Sequence, residues 1–426
     1  METKEYTRIG EKLWHTRLEN GLHIYVDVKP DFSKSFAFFA TNYGGMDMRF
    51  QLNDAWHDTP AGVAHFLEHK MFDTKDGNAL QDLAANGASP NAFTSTDITG
   101  YYFESTEKFE ENLKILLSFV SVPWFTPESV DKEQGIIGQE IRMVEDDPQN
   151  QVFYGMLEAL YAHNPVRVSI AGTVESIAEI TADTLYACHA AFYNPGNMTL
   201  CVCGNVDPER VCEIAREILP KEGITDIPRD YGDPEPEGAF QAEKVQSMAV
   251  STPIFQLGWK ADPAPRGEEH MRRQFLGELA CETVFGTSTP LYARLYSQGL
   301  VNQRFSYGYE AYPQCAMLTV GGESRDPRAV RQAIADEVAR ICREGLDPAL
   351  FGRIKRGIYG ARVRGLNSFE NICIGLAQSH FAGEEFFRFP AVFENIGKAD
   401  VEDVIRRWMT PERTGLSIVL PKEEQA

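Results

Sequence analysis

Two periodicities of apolar residues alternate through the first half of the chain. Leu18-Glu-Asn-Gly-Leu22 places an Asn-Gly turn between two extended stretches, which predicts a β-hairpin. Ser35 to Thr41 and Met46 to Phe50 are predicted as strand material, Asn78 to Asn86 as a helix, and Thr94 to Thr106 as a strand. Because both periods occur, we expect an α+β fold in which helices pack on mostly antiparallel sheets.

Two further helices are predicted from the residues at their starts. Thr59-Pro60 is typical of a helix entry with proline in the first turn, and a helix should follow it directly. Thr126-Pro127-Glu128 combines a capping residue, a proline and an acid, which predicts the start of a long helix.

The second half of the chain repeats a pattern of the first half at a constant offset. Each copy reads as an amphipathic helix, a proline turn and a short apolar strand. The matched residues are Ile180, Leu185, Pro195, Leu200 and Val202 with Ile396, Val401, Pro411, Leu416 and Ile418. Leu219 to Gly238, rich in proline, glycine and acids, cannot hold a buried helix or strand. We therefore predict a first domain over 1–220, a linker over 221–238, and a homologous second domain over 239–426.

Composition and charge limit the classes of molecule that this chain is expected to bind. With 43% hydrophobic and 24% charged residues, the chain is typical of a soluble globular protein. A net charge of −21 would repel phosphate, which argues against nucleic acid; it would suit a basic peptide, although solubility is the simpler interpretation. No apolar run reaches membrane-spanning length and the N-terminus is polar, so we expect no membrane association and a cytoplasmic location.

The stretch from His65 to His69 has the order H-x-x-E-H. Residues four apart share one face of a helix, so both imidazoles can reach one metal ion, while Glu68 can point at a water on that metal. This order is the inverted form of the commoner H-E-x-x-H motif. Two core histidines beside a charged glutamate would be costly without partners, which favours a metal site over core packing.

A third ligand is expected in the long helix that follows Thr126. Glu133 and Glu140 lie almost two helical turns apart and share a face, next to an apolar stripe formed by Ile136, Ile137 and Ile141. One carboxylate would complete a His, His, Glu site with a position open for water, and the other would orient a histidine.

Such a site predicts hydrolysis of peptide bonds. Zinc lowers the pKa of bound water towards about 7 and polarises a carbonyl, and Glu68 is placed to pass the proton to the leaving amine. Manganese and cobalt accept the same donor set.

Taken together, these residues resemble the pitrilysin (insulinase-type) family of inverted zinc metallopeptidases. The separation between His69 and Glu140 is close to the usual gap in the family, and Glu140 belongs to a matching E-x6-E pair. The resemblance implies that His65, His69 and Glu140 bind one zinc ion, that Glu68 is the general base, and that Glu133 is a supporting carboxylate.

A second motif, within Pro90 to Phe103, is similar to the N-A-x-T strand of this family. The edge of that strand binds a peptide substrate as an additional strand, because backbone hydrogen bonds give affinity with little sequence preference. The resemblance implies Asn91 and Ala92 as substrate-binding residues. Taken alone, the stretch predicts only a half-buried strand.

The resemblance covers the whole chain and implies a partner. Short forms of the family have two homologous domains per subunit, and two subunits close a chamber. The sequence around His65 is similar to that of the zinc-bearing member of a bacterial paired peptidase, and to that of zinc-protease-like proteins associated by name with elongation factor P modification.

One departure from the family concerns an arginine and a tyrosine that hold the substrate carbonyl. Gln298 and Asn302 stand at their places, and nearby Arg294, Arg304 and Tyr307 lack the usual spacing. We therefore expect a second homologous subunit to supply the pair, with a homodimer as the alternative.

Three functions follow from these patterns. The first is a zinc metalloendopeptidase subunit that cuts peptides or unfolded segments inside a chamber. The second is a non-catalytic core or assembly subunit, since some relatives in respiratory complexes keep the fold and lose the chemistry. The third is a dedicated leader-peptide processing peptidase. The intact set of metal-binding residues favours a peptidase.

Overall fold

The computed structural model describes residues 2–224 and 226–422. The strands are β1 (Glu2–Tyr6), β2 (Glu11–Arg17), β3 (His23–Val28), β4 (Ser35–Thr41), β5 (Arg49–Leu52), β6 (Ala55–Asp58), β7 (Asp73–Thr74), β8 (Gly77–Asn78), β9 (Ser89–Thr94), β10 (Thr99–Ser105), β11 (Met198–Gly204), β12 (Glu243–Met248), β13 (Ile254–Ala261), β14 (Ser306–Tyr312), β15 (Cys315–Glu323) and β16 (Thr414–Pro421).

The helices complete the described chain. They are α1 (Val63–Met71), α2 (Ala79–Ala85), α3 (Phe109–Ser121), α4 (Pro127–Asp146), α5 (Pro148–Leu160), α6 (Val174–Ile177), α7 (Ala182–Phe192), α8 (Pro208–Ile218), α9 (Glu268–Phe285), α10 (Pro290–Ser297), α11 (Pro327–Glu344), α12 (Pro348–Gly365), α13 (Phe369–Ala382), α14 (Phe389–Glu394) and α15 (Lys398–Trp408). Within residues 2–224 and 226–422, every helix is too short or too polar to span a lipid bilayer.

Two large sheets share one topology. The first has seven strands in the order β1-β2-β3-β11-β4-β10-β9, and the second has five in the order β12-β16-β13-β15-β14. Each contains a single parallel pair, β3 with β11 and β12 with β16, and all other pairs are antiparallel. The α+β class is confirmed, and β9 and β14 are the corresponding edge strands.

The predicted repeat agrees with the secondary structure. Helices α7 and α15 begin at Ala182 and Lys398, and the 3-10 turns Pro195–Asn197 and Pro411–Arg413 follow them at the same offset. Strands β11 and β16 keep this offset in their starting residues and occupy equivalent places in the two sheets. The chain is therefore a duplication of one unit.

The two compact units are discontinuous in sequence. The first contains the residues up to Ile141, Val168–Tyr231 and Val363–Arg388, and the second contains Arg142–Arg167, Gly232–Arg362 and the residues from Phe389 onward. Helix α13 packs on β11 and β4 of the first sheet, and α5 packs on β13 and β16 of the second. A single division of the chain at 221–238 does not describe these two units, because each unit includes a helix from the other half of the chain.

Strand β4 shows why the first sheet has no solvent-facing side at its centre. All its residues are buried. Ala37 and Phe39 pack in the core that contains α1, whereas Phe36, Phe38 and Ala40 pack in the core that contains α13. A strand covered on both faces gives a continuous apolar run rather than an alternating one, which is the pattern of Ser35 to Thr41.

Local predictions met mixed outcomes. The Asn-Gly hairpin is confirmed, with the Leu18 N–H donating to the Leu22 carbonyl at 2.8 Å and Gly21 at φ 91°. The strand predicted from Thr94 to Thr106 is confirmed over Thr99–Ser105, but its start is wrong: Thr94 ends β9, and the chain reverses before β10, where the Ser95 N–H donates to the Ile98 carbonyl at 2.8 Å. The strand predicted from Met46 begins only at Arg49.

The predicted linker is fastened to each unit by buried charges. Between Ile218 and Glu243, the described residues form neither helix nor strand. In the first unit, buried Asp47 pairs with Arg229 at 3.0 Å and accepts a hydrogen bond from Tyr231 Oη at 2.8 Å. In the second unit, Glu235 pairs with buried Lys260 at 2.8 Å. Glu235 also accepts hydrogen bonds from the backbone N–H groups of 162–164.

Replacing Glu235 with glutamine should destabilise the fold in a pH-dependent way. Burial raises the pKa of this carboxyl, but Lys260 and the three backbone donors together lower it to about 2. Since the folded pKa lies below the unfolded value of about 4.3, the stabilisation is complete above that value and is lost as pH falls through about 2. We expect a loss of about 2–3 kcal/mol at neutral pH.

Denaturant unfolding of the wild type and of Glu235→Gln at pH 7 and pH 3 measures this effect. The difference in the free energy of unfolding should be smaller at pH 3. Equal stability of the two proteins at both pH values would show that Glu235 does not anchor the linker.

Candidate metal centre

Helix α1 carries three of the predicted site residues, and its start is set by a glycine. Gly62 caps the helix at φ 94°, a left-handed conformation, and a Cβ there would lie 2.6 Å from the Ala171 carbonyl oxygen. The helix entry predicted at Thr59-Pro60 is therefore wrong: the chain turns through Gly62, and α1 begins at Val63.

His65, His69 and Glu140 converge. The two imidazole rings lie 4.6 Å apart between centroids at an interplanar angle of 68°. His65 Nε2 is 3.4 Å from Glu140 Oε1, and His69 Nε2 is 3.6 Å from Glu140 Oε2. One donor atom from each residue lies within 4.8 Å of the other two, and in the described part of the chain no other His, Cys, Asp and Glu side chains form such a group. Two imidazoles and a carboxylate at these distances fit a single divalent transition metal.

Helix α4 supplies the carboxylate and begins where predicted. Thr126 and Ser129 exchange hydrogen bonds between side chain and backbone at 3.1 and 3.2 Å, which closes the first turn. Ile137 and Ile141 are buried as expected, but Ile136 is 48% exposed, so the buried stripe is narrower than predicted.

The two carboxylates of α4 contact different atoms of the histidines. Glu140 faces the Nε2 atoms of both rings, whereas Glu133 Oε1 accepts a hydrogen bond from His69 Nδ1 at 3.2 Å. Glu133 thereby fixes the orientation of the His69 ring and leaves its Nε2 free for a metal. The sequence pattern alone left open which carboxylate does which.

The electrostatics of the group favour positive charge. Burial lowers the pKa of His69, but its hydrogen bond to Glu133 and the charges of Glu68 and Glu140 outweigh burial and raise that pKa overall. The hydrogen bond from His65, together with the charges of both histidines, lowers the pKa of Glu140 despite its partial burial. The carboxylates thus stabilise a positive charge between the rings, whether a proton or a metal cation.

Glu68 lies beside the three residues but is not one of their group. Its side chain is almost fully buried, and Thr94 Oγ1 of β9 donates a hydrogen bond to its Oε2 at 2.7 Å. Thr94 was not predicted as a site residue. Residues two apart on a strand share a face, so alternation from Ala92 is the sequence signal that could have identified it.

Strand β9 places Asn91 and Ala92 at the edge of the first sheet. They lie opposite Tyr102 and Tyr101 of β10. The Ala92 N–H donates to the side-chain Oδ1 of Asn91 at 2.9 Å. No described strand pairs with the other edge of β9, which is therefore open to an added strand.

The residues at and near the run from Gln298 to Asn302 make contacts within the second unit. Gln298 is the C-terminal cap of α10, and Asn302 donates to Glu323 at 2.8 Å. Arg304 also bonds Glu323, at 2.7 Å. Tyr307 Oη donates to Glu282 at 2.7 Å, and Arg294 lies 3.9 Å from Glu337, so each of the three nearby side chains has a carboxylate partner.

The duplicated sheets and the His-His-Glu group define a two-domain α+β protein whose first unit carries residues suited to a metal ion. Residues 55–174 match the family model described as insulinase (peptidase family M16), and residues 179–358 match the one described as peptidase M16 inactive domain. The uncharacterized zinc protease YmfH of Bacillus subtilis is 38% identical over 428 residues, covering 98% of this chain and 99% of that protein. The chain belongs to the M16 (insulinase) peptidase family.

Solved structures agree with this assignment. The putative M16-like peptidase from Alicyclobacillus acidocaldarius superposes with a TM-score of 0.93 at 30% identity, covering 97% of this chain and 99% of that one. A protease from Helicobacter pylori has a TM-score of 0.84 at 17% identity, covering 96% and 100%, and supports the fold alone. The donor group lies in the part that matches the first family model.

Proposed function

We propose that this chain is a zinc metalloendopeptidase subunit that hydrolyses peptide bonds in extended or unfolded polypeptide. The observation that carries the proposal is the convergence of His65, His69 and Glu140, with the Glu68 carboxylate beside them and outside the donor group. A bound zinc ion would polarise the substrate carbonyl and acidify a water. The zinc-protease names of the relatives support this choice of metal.

Each residue has a separate part in this proposal. His65 and His69 offer Nε2 and Glu140 offers its carboxylate to the zinc ion, and Glu133 orients His69 through Nδ1. Glu68 removes the proton from the attacking water and delivers it to the leaving amine. Partial burial of the group limits competing solvent and strengthens these charge interactions.

The open edge of β9 supports an extended substrate. A peptide added as a strand would pair with Asn91 and Ala92, and its carbonyl would replace the Asn91 side chain on the Ala92 N–H. Folded proteins have few free strands to offer, so we propose peptides and unfolded segments as the substrate class.

An Ala92→Pro variant tests this use of the edge. Proline removes the outward N–H, and it is tolerated on edge strands where that donor does not serve the sheet. We expect zinc content to stay at the wild-type value and KM for an extended fluorogenic peptide to rise by up to about tenfold, which corresponds to the loss of roughly one substrate hydrogen bond. Unchanged KM and kcat would show that substrates bind elsewhere.

We further propose that a second homologous subunit supplies the arginine and tyrosine and closes the chamber, with a homodimer as the alternative. The acidic partners of Arg304 and Tyr307 support this, because both side chains are held within their own unit.

Hydrolysis of an extended peptide by the zinc-loaded chain, with and without such a homologue, tests the proposed function. Absence of hydrolysis in both mixtures would contradict it and would leave a non-catalytic subunit as the explanation.

A further inference from the structure

We infer that Thr94 is a positioning residue for the general base: its hydroxyl fixes one oxygen of the Glu68 carboxylate so that the other faces the reacting water. This inference rests on the proposed function, since it assigns a role within the same site. Thr94 itself is not placed in contact with the metal or the reacting atoms.

The contact between the two side chains is short and directional. Thr94 Oγ1 lies 2.7 Å from Glu68 Oε2, as expected for a hydroxyl that donates to a charged oxygen. In the described part of the chain, no other side chain donates to this carboxylate, although residue Glu68 as a whole is only 8% exposed. A glutamate has three side-chain torsions, and Thr94 is therefore the contact that selects the direction of its carboxylate.

Thr94 is itself held rigidly. It lies opposite Thr99 in the β9–β10 ladder, with the two hydroxyl oxygens 3.4 Å apart. Thr99 is fully buried, and its hydroxyl donates to the Tyr43 carbonyl at 2.9 Å. The β-branched side chain of Thr94 also has few rotamers. A donor fixed in this way to a buried ladder can hold the carboxylate within the narrow range of positions that proton transfer requires.

The arrangement also connects substrate binding with the base. The strand that carries Thr94 is the edge strand on which Asn91 and Ala92 are proposed to pair with the peptide. Strand β9 therefore sets the distance between Glu68 and the scissile bond. It contacts the Glu68 carboxylate through Thr94, and its edge pairs with the peptide.

Two variants separate a role of the hydroxyl from a role in packing. Thr94→Val keeps the branched shape and removes the donor, whereas Thr94→Ser keeps the donor. In the zinc-loaded protein, we expect Thr94→Val to retain one zinc per chain, to leave KM within about twofold, and to lower kcat by about 10- to 100-fold, the range for a misplaced catalytic group. Thr94→Ser should recover kcat to within about fivefold of the wild type.

A double-mutant cycle tests whether Thr94 acts through Glu68. When Glu68→Gln has already removed the base, adding Thr94→Val should lower the residual kcat by less than about twofold. The dissociation constant of a labelled peptide, measured by fluorescence anisotropy, should be the same for Glu68→Gln with and without Thr94→Val.

Each other outcome overturns a stated part. Wild-type kcat in Thr94→Val, equal loss in both Thr94 variants, loss of zinc, or weaker peptide binding would each overturn the positioning role while leaving the proposed function intact. If the zinc-loaded wild type, alone and with its homologue, cuts no peptide, the proposed function fails and the inference fails with it.

Discussion

We expect the replacement of Glu68 with glutamine to remove most peptide hydrolysis and to leave zinc binding unchanged. The amide has nearly the shape of the carboxylate and still accepts the hydrogen bond from Thr94, but it cannot take a proton from water. We expect kcat to fall by about 10²- to 10⁴-fold, the usual contribution of a general base. Metal analysis and peptide cleavage on the same preparation measure both properties together.

Glu140→Gln is the matched control for this prediction. It makes the same chemical change, but at the carboxylate that faces both histidine Nε2 atoms. The Glu68 carboxylate, in contrast, lies outside this donor group. Its zinc content and its activity should therefore fall together, and excess zinc should restore part of the activity. Added zinc should not restore Glu68→Gln. Wild-type kcat in Glu68→Gln would refute its role as the base.

We expect the second large effect when a homologous chain that carries the arginine and tyrosine is added to this one. The resemblance to the family implies that Gln298 and Asn302 stand at the places of an arginine and a tyrosine that hold the substrate carbonyl, and we propose that a homologous chain supplies that pair. Adding a homologous chain that carries the pair should raise kcat/KM by about 100-fold or more, since one lost donor to a reacting carbonyl costs about 10²–10³.

The same partner with its arginine replaced by alanine is the control, because it preserves assembly and removes one donor. Gel filtration of each mixture reports complex formation independently of hydrolysis. Full activity from the chain alone, without stimulation by the partner, would favour a self-sufficient homodimer.

Features with local causes could be predicted from the sequence. The Asn-Gly hairpin, the buried strand from Ser35 to Thr41, and the start of α4 at Pro127 depend on turn chemistry, apolar runs and capping. The metal motif belongs to the same class, since helical spacing alone brings His65 and His69 onto one face.

Features that depend on how distant elements pack together could not be predicted from the sequence. The two halves carry similar patterns, so periodicity does not say that α13 packs on the first sheet and α5 on the second. The division between Glu133 and Glu140 depends on how α4 lies against α1, and the Thr94 contact depends on β9 passing beside Glu68. The role of Gly62 at the start of α1 could not be predicted, because the need for glycine there comes from the close approach of Ala171, which is distant in sequence.

Zinc titration of the metal-free protein tests the central claim most directly. After chelation and dialysis, peptide hydrolysis by the chain with its homologous partner is followed as zinc is added. If His65, His69 and Glu140 form the single catalytic site, hydrolysis is absent at the start and rises until one zinc ion is bound per chain. Full hydrolysis by the metal-free protein would contradict the account.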